Sequence, residues 1–222
     1  MAPVVTIDGP SGSGKGTIGL GLAKHLGWHF LDSGSIYRAA ALAAQRLGVN
    51  ADQVERIADI ARRMDLRFED GRVVLEGEDV TDVLRTETTG NLASRVAAVP
   101  AVREALLDWQ RSCARPPGLV ADGRDMGTVV FPEAELKIFL TASAEERALR
   151  RYNQLKEKGF DVSLPDLIAE IEERDARDRD RSTAPLQVPA AALVVDSTAL
   201  TIEEVLNRVL ERAREIFPEL VK

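Results

Sequence analysis

Val4-Val5-Thr6-Ile7-Asp8-Gly9-Pro10-Ser11-Gly12-Ser13-Gly14-Lys15-Gly16-Thr17 is the stretch on which the reading of this chain turns. Val4 to Ile7 is a β-branched run with the composition of a buried strand. Gly9 to Thr17 is rich in glycine and carries one lysine. Beyond it, Ile18, Leu20, Leu22, Ala23 and Leu26 recur at helical spacing and Gly27 ends the run. Strand, glycine-rich loop and helix, in that order, are the context a phosphate-binding loop requires. Glycines let backbone N–H groups approach an anion with no Cβ in the way. The start of the helix adds unpaired N–H groups and a positive dipole end. Lys15 can reach the β- and γ-phosphates of a nucleotide, and a hydroxyl can ligate Mg²⁺. The strict pattern puts that hydroxyl directly after the lysine; here Gly16 intervenes and the hydroxyl is Thr17.

Working outward, Trp28 to Leu31 reads as a second strand ending at Asp32-Ser33-Gly34, with Ser33 a candidate cap for the next helix. That helix holds Tyr37 and Arg38 and stops at Gly48. From Leu66 the pattern changes to short strands, with Asp70-Gly71 as a hairpin signal. Helical stretches follow at Val83 to Val96 and Pro100 to Ser112. A small β-plus-helix block inside an α/β core suggests an inserted sub-domain over a substrate. We place it at 66–112, with the core at 1–65 and 113–222.

Leu119-Val120-Ala121-Asp122 is an apolar strand ending in an acid, followed at once by Gly123-Arg124-Asp125-Met126-Gly127-Thr128. An acid at a strand end beside a phosphate loop suits Mg²⁺ or its water shell. Strand C-termini are also where open α/β sheets bind ligands. Leu136 to Leu140 and Leu193 to Asp196 complete five strands. Ser143-x-x-Glu146 is a capping box, Thr201-x-x-Glu204 leads into the last helix, and Ile202, Val205, Val209 and Ile216 make that helix's apolar face. A helix entered at Pro165 runs towards Arg181. On it Arg174, Asp178 and Arg181 share a face, able to aim arginines at phosphates.

Composition narrows the classes. The chain has 222 residues, 45% hydrophobic, and a net charge of −7. This is a poor balance for a general nucleic-acid or membrane-surface binder, since both need a positive field. One cysteine, Cys113, and two histidines leave neither a disulfide framework nor a zinc cluster. The first eight residues lack the pattern of a signal peptide. No apolar run is long enough to span a bilayer. The expected location is the cytoplasm.

The motifs together resemble the bacterial cytidylate kinases, the ATP-dependent CMP kinases among the phosphate-loop monophosphate kinases. The resemblance rests on Ile7 to Thr17, Leu31 to Arg38, Ala121 to Pro132, and Glu173-Arg174-Asp175 through Arg181, and it extends over nearly the whole chain. The Gly-Lys-Gly-Thr order is part of it. It implies a five-stranded parallel sheet with helices on both faces, an enlarged monophosphate-binding insert and a mobile lid at about 145–161. ATP is the implied donor, bound at Gly9, Pro10, Ser11, Gly12, Ser13, Gly14, Lys15, Gly16 and Thr17, with Mg²⁺ held by Thr17 and Asp122, partly through water. CMP or dCMP is the implied acceptor. Ser33, Arg38, Arg124 and Arg181 would approach its phosphate. Ser94, Arg103 and Asp125 would read cytosine, and Arg174 and Asp178 would hold the ribose or phosphate side. Tyr37 and Asp122 count with the substrate site. Lys15, Arg124 and Arg181 are the implied catalytic groups.

The implied reaction yields ADP and CDP or dCDP, a step of pyrimidine nucleotide metabolism, carried out by a monomer. Its acceptor is a phosphate oxygen already largely ionised near pH 7, because its second pKa is about 6. No general base is needed. Two alternatives stay open: a kinase for another small acceptor, such as UMP, and a nucleotide-hydrolysing switch. Against the switch, the chain carries no Asn-Lys-x-Asp base-reading motif.

Overall fold

The computed structural model describes residues 2–50, 52–69 and 72–219. In chain order the elements are β1 (Val4–Asp8), α1 (Lys15–Leu26), β2 (His29–Asp32), α2 (Ser33–Arg46), α3 (Val54–Arg63), β3 (Leu66–Glu69), β4 (Arg72–Leu75), β5 (Glu78–Asp79), α4 (Thr81–Leu84), α5 (Glu87–Val96), α6 (Pro100–Ser112), β6 (Leu119–Gly123), a π-helical turn at Met126–Val130, β7 (Leu136–Thr141), α7 (Ala144–Glu157), α8 (Leu164–Arg179), β8 (Leu193–Asp196) and α9 (Ile202–Ile216). They form two compact units. One runs up to Leu31 and resumes at Cys113; the other is Asp32–Ser112. The expected insert, 66–112, falls wholly within the second. No described helix is long and apolar enough to cross a membrane.

The first unit is built on a five-stranded sheet of order β2-β6-β1-β7-β8. β1 pairs in parallel with β6 and β7, and β7 with β8. Every residue of β1 and β6 is buried, as strands covered on both faces require. Val5 and Ile7 pack with Ile18 and Leu22 of α1 and Val205, Val209 and Ala213 of α9. Each such valine, leucine or isoleucine contributes about 1.5–3 kcal/mol by leaving water. Trp28 closes this core edge-on against Phe217, ring centroids 5.2 Å apart. Thr6 and Asp8 point to the opposite face, which the π-turn covers. The middle of the sheet and its ligand-facing strand ends are therefore fixed by one continuous core.

In the second unit the alanine-rich α2, buried from Ala39 to Ala44, packs against α3, α4, α5 and β4, while α3 packs on α6. β3, β4 and β5 make a small antiparallel sheet. The Asp70-Gly71 turn lies outside the described residues.

Several local expectations change. The cap of α2 is Asp32, not Ser33: its carboxylate accepts the Ser35 N–H and hydroxyl. Ser143 caps α7, but Glu146 does not reciprocate and pairs instead with Arg150; a full capping box closes at Thr201–Glu204. The helical stretch from Val83 breaks at Thr86, whose hydroxyl caps α5. α8 ends at Arg179, so Arg181 lies beyond it. Ile202 is exposed rather than on the apolar face of α9.

Candidate active site

The loop between β1 and α1 leaves the centre of the sheet at its C-terminal edge. Gly9 has φ +150°, and a Cβ there would lie 1.9 Å from the Leu140 carbonyl oxygen, so the loop can hug β7 only with glycine. Gly14 stands at the N-cap of α1 and no side chain caps the helix. That keeps the N-terminal turn open to an anion. Lys15, the first helical residue, is buried, and its Nζ donates to the Pro10 carbonyl at 2.7 Å. Burial is the main force lowering its pKa from the usual lysine value to about 7; Arg124 and Arg174 push the same way, against Asp122 and Asp8. The ammonium form is thus opposed chiefly by its burial, a cost that an entering phosphate would offset.

β6 delivers the next groups. Asp122 is buried, and its Oδ2 lies 3.4 Å from where a Cβ on Gly16 would stand, beside the first turn of α1. Arg124 donates from Nε to Asp178 Oδ2 at 2.9 Å and from Nη1 to the Gly123 carbonyl at 3.1 Å. Asp178 Oδ1 accepts from Arg181. This carboxylate is 1% exposed, so burial works against its charge, yet Arg124, Arg181 and Arg174 hold its pKa below the ordinary range. Burial likewise opposes the Arg124 charge, but Asp178 leads the acids that raise its pKa. The structure therefore brings Lys15, Asp122, Arg124, Arg174, Asp178 and Arg181 into one electrostatic group. Asp125 follows Arg124 and is buried.

The other expected residues lie in the second unit. Ser33 opens α2 and is buried. The Arg103 guanidinium lies 5.6 Å from the Tyr37 ring centroid and donates to the Ala97 carbonyl at 3.2 Å. Arg38 donates to the Leu84 carbonyl at 2.8 Å. The Ser94 hydroxyl is buried and makes no hydrogen bond.

The model of the cytidylate kinase family matches residues 5–215. The chain belongs to this family. A protein named cytidylate kinase from Aeromonas salmonicida (strain A449) is 59% identical over 219 residues, covering 97% of this chain and 95% of that protein. Another so named, from Methylococcus capsulatus (strain ATCC 33009 / NCIMB 11132 / Bath), is 59% identical over 208 residues, covering 92% and 94%. Among solved structures, a gluconokinase from Sinorhizobium meliloti 1021 aligns with TM-score 0.51 and 14% identity, over 97% of this chain and 94% of that one. An uncharacterized protein from Eubacterium ventriosum ATCC 27560 aligns with TM-score 0.54 and 10% identity, over 97% and 99%. These two share the fold.

Sequence reasoning missed three supports in this cytidylate kinase family member. Asp8 is wholly buried and accepts the N–H groups of Met126 and Gly127, both at 2.8 Å. Burial raises its pKa to about 6, with Asp125 adding to the shift and the two N–H bonds and Lys15 opposing it. The signal was the alternation of β1, which puts two polar residues, Thr6 and Asp8, on one face of a buried strand. Arg147 donates to the carbonyls of Ser11 and Ala142, at 3.0 and 2.9 Å, and forms a two-pronged pair with Asp175. The Ser197 hydroxyl bonds the Ser13 and Thr141 carbonyls. The last two depend on partners far apart in the chain, and no local pattern marks them.

The residues present fit a magnesium nucleotide. The Asp122 carboxylate, at the end of β6, stands beside Gly16 in the first turn of α1, the turn on which Thr17 is exposed. Mg²⁺ on a nucleotide keeps phosphate and water ligands, so one or two protein oxygens suffice.

Proposed function

We propose that this chain transfers the γ-phosphoryl group of ATP to CMP or dCMP, giving ADP and CDP or dCDP. The observation that carries the reading is the glycine loop at the uncapped start of α1 with Lys15 buried in it beside Arg124 and Arg174; burial above all, and then these arginines, lower the lysine's pKa to about 7. Perturbation of this kind belongs to a site prepared for an opposite charge. Membership of the cytidylate kinase family supports the choice of acceptor.

In this reading Lys15 neutralises the phosphates at the donor side. When bound, Mg²⁺ held by Thr17 and Asp122, directly or through water, would neutralise charge on the phosphate oxygens. Arg124 and Arg181 are fixed by Asp178 before substrate arrives, so they stabilise the transferring group with little reorganisation. Ser33, Tyr37 and Arg38 serve the acceptor phosphate side, and Ser94, Arg103 and Asp125 the base. Cytosine offers an amino donor for Asp125 and O2 and N3 acceptors for Arg103 and Ser94. Arg174 and Asp178 serve the ribose or phosphate side. The lid is the 145–161 segment. Arg147 and Arg150 anchor its first turns through Ser11, Ala142, Asp175 and Ser197, so we place its motion beyond Arg150. Closure there excludes water, the competing acceptor. The working form is a cytoplasmic monomer acting on free nucleotides.

An acceptor panel tests the reading. ADP release with CMP and dCMP is expected to exceed that with AMP or GMP by at least tenfold. Equal turnover with AMP sinks the base assignment. ATP hydrolysis indifferent to CMP would point to a nucleotide switch instead.

A further inference from the structure

The π-turn after Arg124 and Asp125 is stitched by its own backbone: the Asp125 carbonyl accepts the N–H groups of Val129 and Val130, and the Met126 carbonyl accepts that of Phe131. That stitching satisfies carbonyls. A helical turn also begins with N–H groups that have no partner inside it, and a polar residue at the N-cap usually takes one of them. Asp125 occupies that position, yet its side chain does not cap the turn. The two leading N–H groups go instead to Asp8, 118 and 119 residues away. Each oxygen of one buried carboxylate takes one of them at 2.8 Å, a pair of charge-assisted bonds that fixes both position and orientation. The turn is also pressed against β1: a Cβ on Gly127 would stand 2.8 Å from Thr6 Oγ1 and 3.2 Å from Asp8 Oδ2. Asp8 is thus the junction of two functional segments. The phosphate loop begins at the residue after it, and the turn it caps follows directly on Arg124 and Asp125.

We propose that Asp8 is a positioning residue that caps the Met126–Val130 turn from β1 and so sets Arg124 and Asp125 in register with the phosphate loop. The role assigned to Asp125 rests on the CMP kinase reading above. Asp8 itself touches no substrate in this account. Its effect is on where the acceptor-reading groups stand, and therefore on which base is accepted.

Asp8→Asn tests it, because the amide keeps the shape but turns one oxygen into a donor facing a donor. The first readout does not depend on the reaction. Hydrogen exchange at the Met126 and Gly127 amides is expected to quicken at least tenfold, while Val5 and Ile7 in the same strand stay protected. Unchanged exchange at the two amides overturns the proposal. The second readout is kinetic. kcat/KM for CMP is expected to fall at least tenfold and the CMP-over-UMP preference to shrink, with KM for ATP within twofold of wild type. A uniform loss of activity with the preference intact means a merely structural role and overturns the proposal. Should Asp8→Asn fail to fold, Gly127→Ala, whose new methyl crowds Thr6 Oγ1 and Asp8 Oδ2 and so pushes the turn off β1 with the carboxylate still present, is expected to give the same split. A wild-type enzyme that ignores CMP defeats the CMP kinase reading alone, and the exchange experiment still decides whether Asp8 holds the turn.

Discussion

Lys15→Met is expected to lower kcat by about 10²–10³-fold, the usual cost of removing one preorganised group at a transferring centre, while leaving the fold intact. The fold should tolerate the change because the native ammonium form is itself opposed, chiefly by burial. Burial and two arginines already push its pKa to about 7, and methionine removes the charge that those neighbours oppose. A second consequence separates Lys15 from a merely structural lysine. Bound polyphosphate favours the ammonium form, so the pKa must be higher in the complex than in the free protein. Linkage then gives the sign: nucleotide binding takes up protons above pH 7, and affinity is greatest below pH 7 and falls as pH rises through it. At pH 8 the uptake should approach about one proton per site, since a group with pKa near 7 is then mostly neutral. Calorimetry in two buffers of different ionisation enthalpy reads that number. Lys15→Met should abolish the uptake; zero uptake in the wild type would remove Lys15 from the phosphate site.

Lys15 is marked by its immediate neighbours, whereas the sequence marks Asp8 only as a polar residue in a buried strand and its partners lie more than a hundred residues away. The phosphate loop is local: its strand, glycines, lysine and helix are consecutive, so pattern and chemistry coincide. The same holds for the five strands of the main sheet, each a short apolar run ending where the structure ends it to within a residue or two. α3 was missed although Val54, Ile57, Ala58 and Ala61 recur at helical spacing and the last three are buried, so that helix was legible in the sequence. The break at Thr86 was hidden because a threonine inside a helical pattern reads as a tolerated residue until its hydroxyl is seen capping. Arg181 meets Asp178 from beyond the end of α8, but Arg174 and Asp178 were legible as one helix face, since a period of 3.6 predicts it. Which of them pairs with Arg124, 54 residues away from Asp178, was not. Only packing of α8 against the end of β6 creates that contact, and the same is true of Asp8 with Met126 and Gly127.

The Arg147–Asp175 pair is another such link, and removing half of it is expected to have a large effect on stability. Both groups are buried, with side chains 4% and 10% exposed. Arg147 also holds the Ser11 and Ala142 carbonyls, so its guanidinium joins the phosphate loop, the end of β7 and α8. Asp175→Ala leaves that cation buried and uncompensated, a change that costs about 3–5 kcal/mol. For a chain of this length each kcal/mol lowers Tm by roughly 2–4 °C. The expected drop is therefore about 6–20 °C in a thermal melt. The pair itself is not the source of that energy, since two charges withdrawn from water recover little by meeting. Asp175→Leu combined with Arg147→Met should consequently regain most of the loss in Tm. It should not regain kcat, because methionine cannot hold the Ser11 carbonyl and the loop loses its tether to α8. Asp175→Ala melting within 2 °C of wild type would show that water reaches the pair. A double variant with restored kcat would show that the pair contributes stability alone and leaves the loop where it was.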